Sequence, residues 1–177
     1  ENFDLNSGVH LMNLGINNDY SIEPRIGARW HVKENQVINA GFGLHSKAVP
    51  TSIYLAEQTL ADGSVIQPNK SLKMTKAFHS VVGYNFNFSQ DFRFKAELYY
   101  QYLYEVPIKP NDTTFVLSAV NFSSGFTNEN FVNEGTARNY GLELTLEKFF
   151  SKDYYFLATA SLFESKYTMD DGIERNS

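Results

Sequence analysis

Arg25 and Arg29 share one side of the extended segment Ser21–Val32. Two guanidinium groups on one wall can grip an anionic substrate or a carboxylate from another domain. Hydration, or an ion pair with Glu23, uses them as well. His10, His31, His45 and His79 all fall on the same phase as these arginines. His45 and His79 lie toward the same end of successive segments, and converging imidazoles can ligate a metal. Polar lining is the simpler use, and neither a metal nor a cofactor is expected. Glu143 is a further candidate on this phase. Glu143 and Glu147 share a face roughly 13 Å apart at strand rise, too far for a typical carboxylate pair of a retaining or inverting glycosidase. Gly41-Phe42-Gly43 is not followed by a helical pattern, which argues against a phosphate loop. No G-x-S-x-G nucleophile motif occurs. The chain is read as not an enzyme, without catalytic residues.

A second group of candidates lies in polar stretches between the periodic segments: Tyr54, Phe115, Phe122, Phe126 and Phe131. Aromatic rings there can stack on a bound ligand, because binding residues concentrate on loops held by rigid elements. They can equally fold back as a loop core.

The elements that position these groups are read from alternation. Ile22, Pro24, Ile26, Ala28, Trp30 and Val32 take one phase of SIEPRIGARWHV, and Glu23, Arg25, Gly27, Arg29 and His31 the other. A strand sends successive side chains to opposite faces. The same two-faced pattern gives strands near Phe3–Leu14, Gln36–His45, Thr75–Phe88, Phe92–Glu105 and Ala137–Phe149. A seventh, Tyr154–Tyr167, is apolar in both phases for several residues and its faces stay unassigned.

Composition narrows the solvent these faces meet. The 177 residues carry a net charge of -5, which excludes the basic footprint of a nucleic-acid binder. There is no cysteine, so disulfides and thiolate metal sites are excluded. Mean hydropathy is -0.35, and no run approaches the ~18 apolar residues of a membrane helix. A barrel strand shows lipid only at alternate residues, so low hydropathy is compatible with it.

The connections alternate in length. Those at 33–35, 89–91 and 150–153 are tight, whereas 46–73 and 106–136 are long. Long loops without structure are uncommon in compact domains and are usually functional. Short turns on one rim and long loops on the other describe an outer-membrane barrel. Trp30, Phe86, Phe88, Phe92 and Phe149 gather toward the short-turn rim, while Tyr100, Tyr102 and Tyr104 climb toward the other. Rings settle at the two interfaces of a membrane as girdles.

Several segments together carry a family resemblance: Ser21–Trp30, Pro68–Lys73 ahead of Val82-Gly83-Tyr84, Val132–Gly135, Asn139–Leu144 and Ser165–Tyr167. In this order and spacing the chain resembles the barrel of TonB-dependent outer-membrane receptors. The likeness is to Bacteroidetes members that carry a carboxypeptidase-regulatory-like domain ahead of the plug. The resemblance implies an all-β, antiparallel, up-and-down transmembrane barrel segment of about seven strands, with short periplasmic turns and long extracellular loops. Residues 1–177 would be part of the barrel domain, without the plug: about a third of a 22-stranded barrel, toward its C-terminal part. The implied function is active uptake of a scarce nutrient such as a siderophore, vitamin, peptide or glycan, in the outer membrane of a Gram-negative bacterium. The implied partners are outer-membrane lipid, the rest of the barrel and its plug, TonB through a missing N-terminal part, and the transported molecule. A passive porin-type barrel and a soluble β-sandwich or lipocalin-like binding module are the alternatives.

Overall fold

The computed structural model describes residues 2–112, 117–120 and 129–177. In chain order its elements are β1 (Phe3–Leu14), β2 (Asp19–Lys33), β3 (Gln36–Lys47), a single-turn helix α1 (Thr51–Tyr54), β4 (Gln58–Thr59), β5 (Val65–Ile66), β6 (Thr75–Asn87), β7 (Phe92–Ile108), β8 (Val132–Ser151), β9 (Tyr154–Thr168) and β10 (Glu174–Asn176). The main sheet runs β1-β2-β3-β6-β7-β8-β9-β10, so neighbours along the chain are neighbours in space. Every pairing is antiparallel. β4 and β5 form a separate two-stranded ladder inside the first long connection.

Register aligns the alternation of all seven long strands. Leu5, Ala28, Ala40, Val82, Leu98, Leu142 and Leu162 are successive partners across the sheet. One position along, the row is Asp4, Arg29, Asn39, Gly83, Glu97, Glu143 and Ser161. A one-residue slip would exchange the two sets, so the register keeps one face apolar and the other polar. This also resolves β9. Ala158, Ala160 and Leu162 join the apolar face, while Leu157, Thr159, Ser161 and Phe163 join the polar one.

No second layer covers the apolar face among the described residues. Ile22, Ile26 and Trp30 are 55%, 49% and 50% exposed. A soluble sandwich would bury such a face, and a membrane barrel presents it to lipid. The sheet is open: β1 has no partner on its outer edge among the described residues.

Three tight hairpins lie on one rim. At the β8–β9 hairpin, Lys152 and Asp153 have φ of 51° and 67°, the left-handed pair of a two-residue turn that suits the strand twist. Lys148, almost fully buried, donates Nζ–H to the carbonyls of Ser151 (2.8 Å) and Tyr154 (3.1 Å) and lies 3.9 Å over the Tyr154 ring. Rings of Phe86, Phe88, Phe92 and Phe156 touch in sequence along this rim.

The opposite rim departs from the predicted bounds. β7 continues beyond Glu105 to Ile108, and β8 starts at Val132 rather than Ala137. The register shifts between Leu103 and Val106, where Glu105 has φ 53°. This bulge breaks strict alternation, so local pattern ends the strand too early. The stretch after β3 is also more than a polar loop. Ile53, Tyr54, Leu72 and Phe131 form a buried cluster with Leu14, Ile16, Ala48, Val49 and Leu117 against it.

Candidate functional site

The polar face of the sheet is the candidate site, and each of its members follows from strand phase. Across its long-loop half, Gly8, Arg25, Gly43, His79, Gln101, Asn139 and Ser165 are successive register partners. Arg25 donates Nη2–H to Glu23 at 2.8 Å. Glu23 is 1% exposed and receives three further hydrogen bonds: from His10 Nδ1 at 3.0 Å, and from the Ser46 backbone N–H at 2.9 Å and hydroxyl at 2.5 Å. A buried carboxylate is retained where donors surround it. The described β2–β3 ladder starts at Arg25 and Gly43 and extends from there toward the tight turn. Beyond that point the Glu23 carboxylate takes the Ser46 N–H in place of a backbone carbonyl. The sequence-level ion pair of Arg25 with Glu23 therefore exists, as part of a larger cluster.

Arg29 lies farther along the wall and donates Nε–H to Asn39 Oδ1 at 3.2 Å. Arg25 keeps about half of its surface exposed and the Arg29 bond is exposed, so both present charge on the polar face of the sheet. His45 and His79 meet edge to face with ring centroids 5.9 Å apart. No group of three or more metal-ligating side chains assembles among the described residues. Glu143 sits directly opposite Glu97 in register. Glu97 is paired with Lys95 on its own strand. Glu147 pairs instead with Arg93 at 2.5 Å.

The loop candidates separate. Tyr54 and Phe131 are buried together in the apolar cluster of the long-loop rim. Phe115, Phe122 and Phe126 lie outside the described residues. Sequence reasoning missed the polar staples of this rim. Asn69, fully buried, donates Nδ2–H to the Glu129 carbonyl at 2.7 Å and accepts the Phe131 N–H at 2.9 Å. Asn133 accepts the Lys73 N–H at 2.9 Å and donates to the carbonyls of Lys73 (3.0 Å) and Glu105 (2.8 Å). Asn17 donates to the Leu72 carbonyl at 2.6 Å, and Asp19 accepts the Met74 N–H at 2.8 Å. The two long connections are thus tied to each other and to the β1–β2 turn. The available signal was the Pro68–Lys73 and Val132–Gly135 segments, which contain two of the asparagines.

Beyond the end of β7, Lys109 pairs with Glu129 at 2.9 Å, and this contact raises the lysine pKa. Burial raises the Tyr54 phenol pKa.

What decides the family is the agreement of this two-faced, uncovered sheet with a sequence match over its whole length. The family described as "TonB dependent receptor-like, beta-barrel" matches residues 1–177. The chain belongs to this family. Its fold is similar to a solved structure of the FrpB iron transporter from Neisseria meningitidis (F3-3 variant), with a TM-score of 0.63 and 14% identity. The match covers 98% of this chain and 25% of that one, so the chain spans about a quarter of that transporter's length. No curated protein matches the chain in sequence. The TonB-dependent receptor family consists of outer-membrane transporters of Gram-negative bacteria, and the architecture here is the nearly all-β antiparallel sheet of its barrel.

Proposed function

We propose that this chain is a wall segment of an outer-membrane receptor that actively imports a scarce nutrient: a siderophore, vitamin, peptide or glycan. The observation that carries the reading is the aligned register, which gives one wholly apolar row, Leu5 to Leu162, back to back with a row holding Arg29, Glu97 and Glu143. Lipid on the first face and water on the second satisfies both. Open sheet edges in lipid leave backbone groups unpaired at several kcal/mol each, so the strands of this chain work as part of a larger barrel.

The tight turns then face the periplasm and the stapled long loops face outward. A plug domain would sit against the polar wall and contact TonB, which brings energy from the inner membrane because the outer membrane has no ATP. The resemblance to Bacteroidetes receptors with a carboxypeptidase-regulatory-like domain extends this reading to the rest of the protein. Arg25, Arg29, His45, His79 and Glu143 would line the aqueous path on this wall.

The test is uptake in a strain deleted for the full-length receptor, complemented with and without TonB, over iron chelates, vitamins, peptides and glycans. Growth on one nutrient that needs both the receptor and TonB supports the proposal. Uptake that persists without TonB, scaling with external concentration, indicates a passive porin and overturns it.

A further inference from the structure

At the long-loop rim the polar wall carries a cavity that the nutrient-uptake reading leaves without a ligand. Its volume is about 590 Å³, inside the ~300–1,000 Å³ range of small-molecule sites. Its floor is not polar like the rest of the wall. In the register row His45, Ala77, Leu103, Ala137, Tyr167, the members Ala77 and Leu103 line it with small and aliphatic surface. The chain turns back over this floor. Ala119 donates its N–H to the Pro107 carbonyl at 2.8 Å, Lys109 donates to Leu117 at 2.9 Å, and Ile108 bridges Ser118. Pro107, Val120 and Val49 add further apolar lining.

Among the described residues the charge on the lining has one sign. The polar lining comprises Lys47, His45, Gln101, Ser46 and Thr75, with no carboxylate side chain among the described residues, and Ser46 already donates to Glu23. Gln101 uses its carbonyl oxygen to accept from Asn139 Nδ2 at 2.9 Å, and Asn139 in turn accepts from Ser165 at 2.7 Å. That chain of bonds leaves the Gln101 NH2, a donor, as its remaining polar group. The nearest buried acid, Glu23, is consumed by His10, Arg25 and Ser46. A cavity with an apolar body, a cationic lysine and the Gln101 amide donor at its edge selects for an apolar molecule that ends in an anion.

From this geometry we infer that the cavity binds an amphipathic carboxylate, with its ring or alkyl body between Ala77, Leu103 and Val120 and its carboxylate toward Lys47 and Gln101. The inference rests on the polar wall being the aqueous side. It is read by binding alone, so an uptake failure and an empty cavity are separate results.

The experiment is calorimetric titration of the full-length receptor in lipid nanodiscs, against empty discs, with 2-naphthylacetate and its neutral amide. Saturable carboxylate binding is expected, at least about tenfold tighter than the amide because the charged acceptor strengthens its hydrogen bonds. Ala77→Trp fills the floor and is expected to abolish binding while heat-modifiable migration is retained. If that variant does not fold, Leu103→Trp reads the same volume from the next strand. Lys47→Gln is expected to bring the carboxylate down toward the affinity of the amide. Equal affinity of carboxylate and amide, binding that survives the filling variant, or heats no different from empty discs would each overturn the inference.

Discussion

The side chain of Asn69 accepts the backbone N–H of Phe131 at 2.9 Å across 62 residues of sequence. The same side chain donates to the Glu129 carbonyl. One fully buried amide thus serves as the hydrogen-bonding partner for a segment of the other long loop, with no strand between them. Backbone groups that leave water need such partners.

Asn69→Ala removes both hydrogen bonds from a buried site, at a cost on the order of 2 kcal/mol. The cost falls on the loops and not on the ladder. Expected are faster amide exchange at Phe131 and faster protease cleavage in the loops of the full-length receptor, with heat-modifiable migration unchanged. A loss of barrel folding would contradict this placement.

Gly141 admits no side chain. A Cβ there would lie 2.7 Å from the Leu162 carbonyl oxygen, 2.8 Å from Tyr99 Oη and 2.9 Å from Phe163 Cβ. Gly141→Ala is expected to destabilise the folded barrel by about 1–3 kcal/mol, measured by reversible urea unfolding in lipid. Tyr99→Ala in the same chain should recover only part of it, because the Leu162 contact is backbone and cannot turn away.

Lys148 closes the last tight hairpin with its ammonium group on the Ser151 and Tyr154 carbonyls. Lys148→Met keeps the stem and removes the charge. Expected is a loss of about 1–3 kcal/mol, the cost of unpaired acceptors at a buried site, seen in the same unfolding assay. An unchanged stability would mean that water replaces the ammonium group freely.

Asp171 lies in the connection before β10, and its two hydrogen bonds from Arg175 hold its pKa at about 2, below the ordinary 3.8. A depressed carboxylate contributes stability above its unfolded value and loses it as pH falls through the folded one. Protection of the β9–β10 amides should therefore be constant at neutral pH and decline from about pH 4 toward pH 2. Asp171→Asn should show the low-protection behaviour at pH 7. The pair lies at the surface within four residues of sequence, so the effect is local to β10.

Much of this was legible in the chain because strand phase is a local property. The segment from Ile22 to Val32 shows its two faces without any partner, and the tight connections at 33–35, 89–91 and 150–153 show which ends share a rim. β9 was not legible: Tyr154, Tyr155, Phe156 and Leu157 are apolar in both phases, and only pairing with β8 assigns them. The strand ends near Val106 and Val132 were hidden by the Glu105 bulge. The loop staples were hidden because a bond from Asn69 to Phe131 leaves no periodic trace. Arg25 with Glu23 was visible as a pair of neighbours on one phase, whereas Ser46 and His10 come to Glu23 from other strands.

These 177 residues contain no cysteine, so labels introduced here, with any thiol elsewhere in the receptor replaced by serine, measure directly which face meets which solvent. Single cysteines at Ile26, Leu98 and Leu142, and at Arg29, Glu97 and Glu143, can carry nitroxide labels in the full-length receptor reconstituted in lipid. Collision with molecular oxygen, which concentrates in lipid, should dominate at the first three positions. Collision with a water-soluble nickel chelate should dominate at the second three. The reverse pattern, or nickel access equal on both faces, would contradict a wall with lipid on one side and an aqueous path on the other.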